Sequence, residues 1–332
     1  MVATGEILGR NFLTRRLIDL VYGYHGPRIS KMVDGITYRT PFLLSAGFDY
    51  NARLGRILPH IGLGGEEIGS ITAKPCEGNP RPRLTRLPRS RSIIVNKGLR
   101  NDGVEKIIER CRRGRTSPTR NFAFVSGISI ARTNCAESSD IESGIDDYLY
   151  SFRRLNEEGI GDYYTINISC PNAFGGEAFT TPELLEKLLL ALAPVSCKKP
   201  VYVKMPINIP WKQFEALLKI IDTHGLQGVV IGNLNKDYNS LDFREEAPAE
   251  YQGGLSGKPC RNLSTELIRK TRSAYGRRFT IIGVGGVMSW EDAKEKFEVG
   301  ADLIQLITGM IYEGPGLIRK LCRGYEKMVN GK

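Results

Sequence analysis

"FTIIGVGGV", residues 279–287, decides the fold. Its opening run is β-branched or aromatic and mostly apolar on both faces, as a strand buried inside a parallel sheet must be. The glycines Gly283, Gly285 and Gly286 close it, and such a strand end lets backbone N–H groups approach an anion. "SWEDAKEKFEVG" (289–300) follows as a helix, with Ser289 placed to cap it and Gly300 to stop it. A second strand-like run, "DLIQLI" (302–307), then leads into "TGM" (308–310). The same strand-then-helix unit recurs upstream, with strand candidates at 42–46, 66–70, 122–126, 163–168, 201–204 and 228–231. Helical runs such as "PELLEKLLLALA" (182–193) and "WKQFEALLKIIDTHG" (211–225) lie between them. Eight units predict an α/β fold, a (β/α)8 TIM barrel rather than a doubly wound sheet. The glycine motifs follow the last strands, where such barrels hold phosphate.

Two connections are longer than a barrel loop needs: 71–103 after the second strand and 232–262 after the sixth. Long βα insertions stand at the C-terminal mouth and are candidate walls of a site. Ahead of the barrel, "KMVDGITY" (31–38) reads as a hairpin. "LGRNFLTRRLIDLVYGY" (8–24) reads as one amphipathic, basic helix, with Leu13, Leu17, Ile18 and Val21 on one face and Arg10, Arg15 and Arg16 largely off it. Docking on the barrel is the expected use of that face, with contact to anionic lipid as the alternative. The expected organisation is an N-terminal helical segment over 1–29 and a barrel over 30–332.

The 332 residues, 41% of them hydrophobic, suffice for one large core and argue against disorder. Seven scattered cysteines with no CxxC pair argue against a disulfide framework and for a reducing compartment. The three histidines show no ligand spacing, so no metal is expected. No apolar run is long enough for a bilayer and no signal-peptide core is visible, which points to the cytoplasm. Net charge is +11, and five arginines crowd "RPRLTRLPRSR" (81–91). That stretch lacks the aromatic interleaving of a nucleic-acid binder, so it reads as a solvated hairpin rim that steers an anionic substrate.

Lys204 ends the apolar strand "VYVK" (201–204). A lysine there is costly unless it meets an anion or a catalytic partner, the plain alternative being a side chain that snorkels to solvent. "TINISCPN" (165–172) places Cys170 between Asn167 and Asn172. Alternation turns Asn167 and Ser169 one way and Ile168 the other, and Pro171 stops the strand. Two asparagines can hold a planar ring that carries amide N–H and C=O groups, and a thiol beside that ring can act as base or nucleophile. No histidine is near in sequence, which leaves a papain-like hydrolase unsupported. "GGLSG" (253–257) joins "GVGGV" (283–287) and "TGM" as a third glycine-bearing turn, together suited to a phosphate-bearing cofactor.

Together these motifs resemble the dihydroorotate dehydrogenases, FMN-dependent (β/α)8 barrels of pyrimidine biosynthesis. The likeness runs from about Asp34 to about Leu321. It is carried by "SAGFD" (45–49), "EIGSIT" (67–72), "EGNPRPRLTRLP" (77–88), "GLRNDG" (98–103), "NISCPN" (167–172), "GGLSGKP" (253–259), "IIGVGG" (281–286) and "YEGP" (312–315). "GNPRPR" (78–83) and the N-terminal helix are most similar to the membrane-associated, quinone-using class. The resemblance implies FMN across the barrel mouth, with Ala46, Gly47 and Ser70 near the flavin ring and Lys204 at its N1 and O2 edge. Ser129 falls where many relatives carry an asparagine facing FMN, and Gly232 joins the cofactor positions. Gly257, Gly286, Ile307 and Thr308 would hold the phosphate. Asn167, Asn172 and Asn233 would hold the pyrimidine, with Tyr50, Lys97, Gly98 and Leu99 beside it. Cys170 would take the C5 proton of dihydroorotate while C6 passes a hydride to flavin N5.

The chain also departs from the family. Tyr50 stands where relatives have a lysine, Val95 where they have an asparagine and Leu234 where they have a threonine, so three polar contacts to orotate are lost. Lys97, at a position usually aromatic or methionine, restores one positive charge. Cys170 is the base of the soluble classes, whereas quinone-using relatives usually carry serine. That quinone-using class has a pair of N-terminal helices forming a quinone tunnel, and a single helix here would make a poor one. The expected activity is FMN-dependent oxidation of dihydroorotate to orotate in UMP biosynthesis, with quinone as acceptor and fumarate as its rival. Weak peripheral contact with the cytoplasmic membrane and no nucleic-acid partner complete the reading. Two rival readings remain: an FMN barrel acting on another dihydropyrimidine or cyclic enone, and a flavin- and pyrimidine-binding protein without turnover. Retention of both Cys170 and Lys204 argues against the second.

Overall fold

The computed structural model describes residues 2–114, 124–171, 176, 178–242 and 244–331. Eight parallel strands close into a barrel: β1 (Phe42–Leu44), β2 (Gly65–Ile71), β3 (Val125–Ile130), β4 (Tyr163–Asn167), β5 (Val201–Met205), β6 (Gly228–Ile231), β7 (Thr280–Val284) and β8 (Leu303–Leu306). Ring closure runs through the pairs Ile304–Phe42, Gln305–Leu43 and Leu306–Leu44. Ser289 caps the helix Trp290–Glu298 in a reciprocal capping box with Asp292, and Gly300 follows at φ 114°, as expected.

The third strand differs from its expected span. Residues 122 and 123 of that span lie outside the described residues, and the strand continues to Ile130. A Cβ at Gly127 would stand 2.0 Å from the ring of Tyr163, so glycine is what lets that ring fill the barrel interior.

Alternation along the strands separates two environments. Val203, Met205, Ile166 and Ile168 pack outward against the helices, while Tyr163, Tyr202, Val230 and Ile282 form the inner cluster. The hairpin Lys31–Val33 and Ile36–Tyr38 seals the floor. Its Val33 and Tyr38 join the inner cluster, and Tyr202 Oη donates to Asp34 Oδ2 at 2.6 Å. Chemistry is thereby confined to the opposite, C-terminal mouth.

The two long insertions meet there. Leu84–Leu87 and Ser92–Val95 form a hairpin, and Gly254–Gly257 from the second insertion adds a third antiparallel strand. Leu87, Ile94 and Leu255 give this wall its own small core. The arginine-rich hairpin mostly braces the wall. Arg83 donates to the Asn79 carbonyl, Arg86 lies 5.9 Å over the Tyr312 ring, Arg89 donates to the Arg244 carbonyl at 2.5 Å, and Arg91 pairs with Glu313.

The single N-terminal helix expected from the sequence is two: α1 (Val2–Arg10) and α2 (Phe12–Tyr22). Asn11 breaks it, because its side chain accepts from the Leu13 backbone N–H at 2.8 Å and caps α2 in extended conformation. Gly9 permits close approach to the barrel, since a Cβ there would lie 3.3 Å from Arg56 Cβ. Ile18 and Tyr22 pack inward, yet Leu13 is 73% exposed and Leu20 72%, with Phe12 and Leu17 exposed beside them. The expected apolar face is therefore mostly undocked.

Candidate active site

A solvent-open cleft of about 1250 Å³ occupies the mouth. Its floor is a polar chain built from strand ends. Ser70 of β2 shares a hydrogen bond with Ser129 of β3 at 2.7 Å and accepts one from Asn167 Nδ2 of β4 at 2.8 Å. Asn167 Oδ1 in turn accepts from the Ser169 backbone N–H at 3.2 Å and from its hydroxyl at 3.1 Å. Asn233 Nδ2 donates to the carbonyl and hydroxyl oxygens of Ser169 at 2.5 and 2.7 Å. Ser169 is fully buried and joins the two asparagines, a role the sequence reading did not assign. Its two-residue spacing from Asn167 was the available signal.

Lys204 stands opposite Asn167 in the β4–β5 register. Only 5% of the residue is exposed, and its ammonium makes no hydrogen bond or ion pair among the described residues. Burial pushes its proton affinity down, opposed by the negative charges of Glu67 and Cys170. Glu67 sits within the barrel, where one carboxylate oxygen accepts from Gln305 Nε2 at 2.7 Å and from Thr165 Oγ1 at 3.1 Å. This inner counter-charge was also missed, although an acid within an otherwise apolar strand marks it.

At one end the turns after β7 and β8 face the insertion sheet. Gly257 and Gly286 have φ of 79° and 74°. A Cβ at Gly286 would stand 2.4 Å from Arg261 Cβ, so only glycine fits there, and its backbone lines the cleft. Thr308 Oγ1 donates to Ser256 Oγ at 2.8 Å, and Ile307 and Gly232 complete this part of the lining. Bare backbone at one end and an ammonium without a hydrogen bond among the described residues on the floor suit a ligand that carries a phosphate and an anionic ring edge.

Tyr50, Val95 and Leu234 also line the cleft and contribute little polarity. Lys97 Nζ donates to the Gly47 carbonyl at 3.1 Å and lies 4.9 Å from the Tyr50 ring centroid. Burial, with the Arg100 charge, pushes the Lys97 amine down to about 8. Burial likewise raises the Tyr50 phenol, which stays neutral. Ala46, Gly98, Leu99 and Cys170 share the lining. Ser129 does not: it is buried beneath Ser70, so it supports the floor instead of facing a ligand directly. Asn172 lies outside the described residues.

The family model described as dihydroorotate dehydrogenase matches residues 28–329. A dihydroorotate dehydrogenase (quinone) of Synechococcus sp. is 36% identical over 324 residues, covering 93% of this chain and 82% of the relative. That of Gloeobacter violaceus is 35% identical over 305 residues, with 92% and 82% covered. A crystal structure of DHODH in complex with ferulenol from Eimeria tenella superposes with a TM-score of 0.83 at 24% identity, covering 96% of this chain and 90% of that one, a likeness of fold. With the family model spanning nearly the whole barrel, the chain belongs to the dihydroorotate dehydrogenase family of oxidoreductases, which act on CH–CH donors.

Proposed function

We propose that this chain uses FMN to oxidise dihydroorotate to orotate in pyrimidine biosynthesis. The observation that carries the reading is Lys204, a buried ammonium with no hydrogen bond or ion pair among the described residues, set opposite Asn167 in a cleft that Cys170 also lines. FMN supplies, when bound, the acceptor for the hydride that leaves C6. Cys170 takes the C5 proton, so the substrate loses one proton and one hydride and gains the C5–C6 double bond. Lys204 holds positive charge against the ring edge that becomes electron-rich. The backbone around Gly257, Gly286, Ile307 and Thr308 holds the phosphate. Asn167, Asn233 and Asn172 bind the pyrimidine amide groups, and Ser169 fixes the first two. Lys97 takes the substrate carboxylate in place of the lysine that Tyr50 replaces.

We assign quinone as the acceptor, since the relatives named above carry it in their names. Residues 1–29 act as a peripheral lipid-contacting segment on the barrel over 30–332, in a cytoplasmic protein. The exposed Phe12, Leu13, Leu17 and Leu20 support that contact. No helix among the described residues is long and apolar enough to cross a membrane.

The test is anaerobic mixing of purified protein with dihydroorotate. Yellow protein with one FMN per chain that bleaches on mixing supports the reading, and colourless protein that takes up no FMN refutes it. The apolar Val95 and Leu234 favour one second reading, a less polar dihydropyrimidine. Faster bleaching by dihydrouracil than by dihydroorotate would select it.

A further inference from the structure

A second solvent-open cavity, of about 1700 Å³, lies beside the cleft, between the start of α1 and the 77–84 segment. Phe48, Tyr50, Leu84 and Lys97 line both spaces and so form the partition between them. The charges around this cavity do not balance. Its acids are Asp49, Glu77 and Asp102. Asp49 accepts three backbone N–H groups, from Asn51, Arg53 and Leu54, and Asp102 is held by Arg110 at 2.8 Å. That leaves Glu77 as the uncommitted anion.

Its cations are Arg53, Arg81, Arg83, Lys97 and Arg100. Arg53 pairs with Glu6, and Arg83 donates to the Asn79 carbonyl. Arg81 and Arg100 make no hydrogen bond or ion pair among the described residues. Lys97 is bonded only to a carbonyl, and the Arg100 charge disfavours its protonated form. Like charges around a shared cavity repel, and an anion placed among them relieves that repulsion. Guanidinium groups suit a carboxylate in particular, because their paired N–H donors match its two oxygens.

We propose that this cavity is a port that collects a small carboxylate through Arg81 and Arg100 and passes it to Lys97 at the partition with the cleft. The identity of the carboxylate rests on the proposed function. Two sources share the chemistry: the oxidisable substrate and its product, or a dicarboxylate electron acceptor. Lys97 has contacts in both spaces, which gives an anion a continuous path of positive charge from solvent to the ring site.

The experiment is calorimetric titration of the purified holoprotein with orotate, with fumarate and with neutral dihydrouracil, at low and high salt. The parent is compared with the double variant Arg81→Gln, Arg100→Gln. Both arginines are exposed and make no hydrogen bond among the described residues, so the described fold does not depend on them. The double variant should bind at least one carboxylate about tenfold more weakly, with a flatter salt dependence. Dihydrouracil binding should not move. Loss for orotate assigns the port to the substrate, loss for fumarate assigns it to the acceptor, and loss for both assigns it to either anion. If the parent binds neither carboxylate, or the double variant binds both as tightly and with the same salt dependence, the port does not exist. Bleaching by dihydroorotate is read separately. Carboxylate binding lost in the variant without any bleaching in the parent would refute the reaction and leave the port standing.

Discussion

Lys204 and Asn167 face each other across adjacent parallel strands, one bringing a buried charge that makes no hydrogen bond or ion pair among the described residues and the other an amide tied to Ser70 and Ser169. The pairing divides the floor into a rigid half and a half that awaits an anion. Lys204→Met should hold or raise the thermal stability of apoprotein, because it removes a buried charge whose desolvation outweighs the attraction of Glu67 and Cys170. The same change should weaken FMN retention about ten- to hundredfold, the value of a charge-assisted hydrogen bond of roughly 1.5–3 kcal/mol. Calorimetric melting and flavin titration on one preparation read both effects. A fall in apoprotein stability would show that Lys204 is structural.

Cys170→Ala should keep its flavin while reduction by dihydroorotate slows by about a hundred- to ten-thousand-fold. Cys170→Ser should be intermediate at neutral pH and recover as pH rises, because a hydroxyl gives up its proton less readily than a thiol. Stopped-flow bleaching across pH measures this, and a parental rate in the alanine variant would remove the cysteine from the chemistry.

Lys97 should make orotate affinity pH-dependent. With its amine lowered to about 8, the charged form that attracts a carboxylate prevails below that value and is lost above it. Orotate binding should therefore be level below pH 8 and decline above, while dihydrouracil binding stays flat. The stability effect has the opposite sense. The native state binds this proton less tightly than the unfolded chain, so the cost of the charge is full below pH 8 and fades as pH rises towards 10.5. Lys97→Met should raise the melting temperature at pH 7 more than at pH 10, and equal shifts at both would contradict this.

Ser169→Ala should raise KM for dihydroorotate with little change in flavin content. The buried hydroxyl joins Asn167 to Asn233, and its loss removes one of the two hydrogen bonds that each amide makes to Ser169, at about 0.5–1.5 kcal/mol apiece. Steady-state kinetics beside flavin spectra separate this positioning role from a cofactor role. A loss of FMN with KM unchanged would reverse the assignment.

Leu13→Glu with Leu17→Glu should abolish sedimentation with vesicles of anionic lipid at low salt and leave bleaching by dihydroorotate intact. Each leucine moved from water into lipid contributes roughly 1.5–3 kcal/mol. Undiminished sedimentation would mean that the exposed face of α2 is not the lipid contact.

The sequence alone was enough to determine the barrel, its floor hairpin and its family. Strand and helix periodicity, glycines after the last strands, the capping pair Ser289 and Asp292, and the order of motifs such as "NISCPN" (167–172) are all local, and local chemistry decides them. One local feature was misread even so: Asn11 passed for a helical residue when it caps a new helix. Tertiary structure decided what depends on residues far apart in the chain. It paired Ser92 with Gly257 to make one wall from two insertions, set Glu67 beneath Lys204, and slipped Ser129 under Ser70. It also turned Lys97 onto Gly47 and Tyr50, where it joins two cavities. Periodicity tells which face a side chain takes. It does not tell which distant side chain it will meet, because closing the barrel brings those faces together only after every strand has found its neighbour.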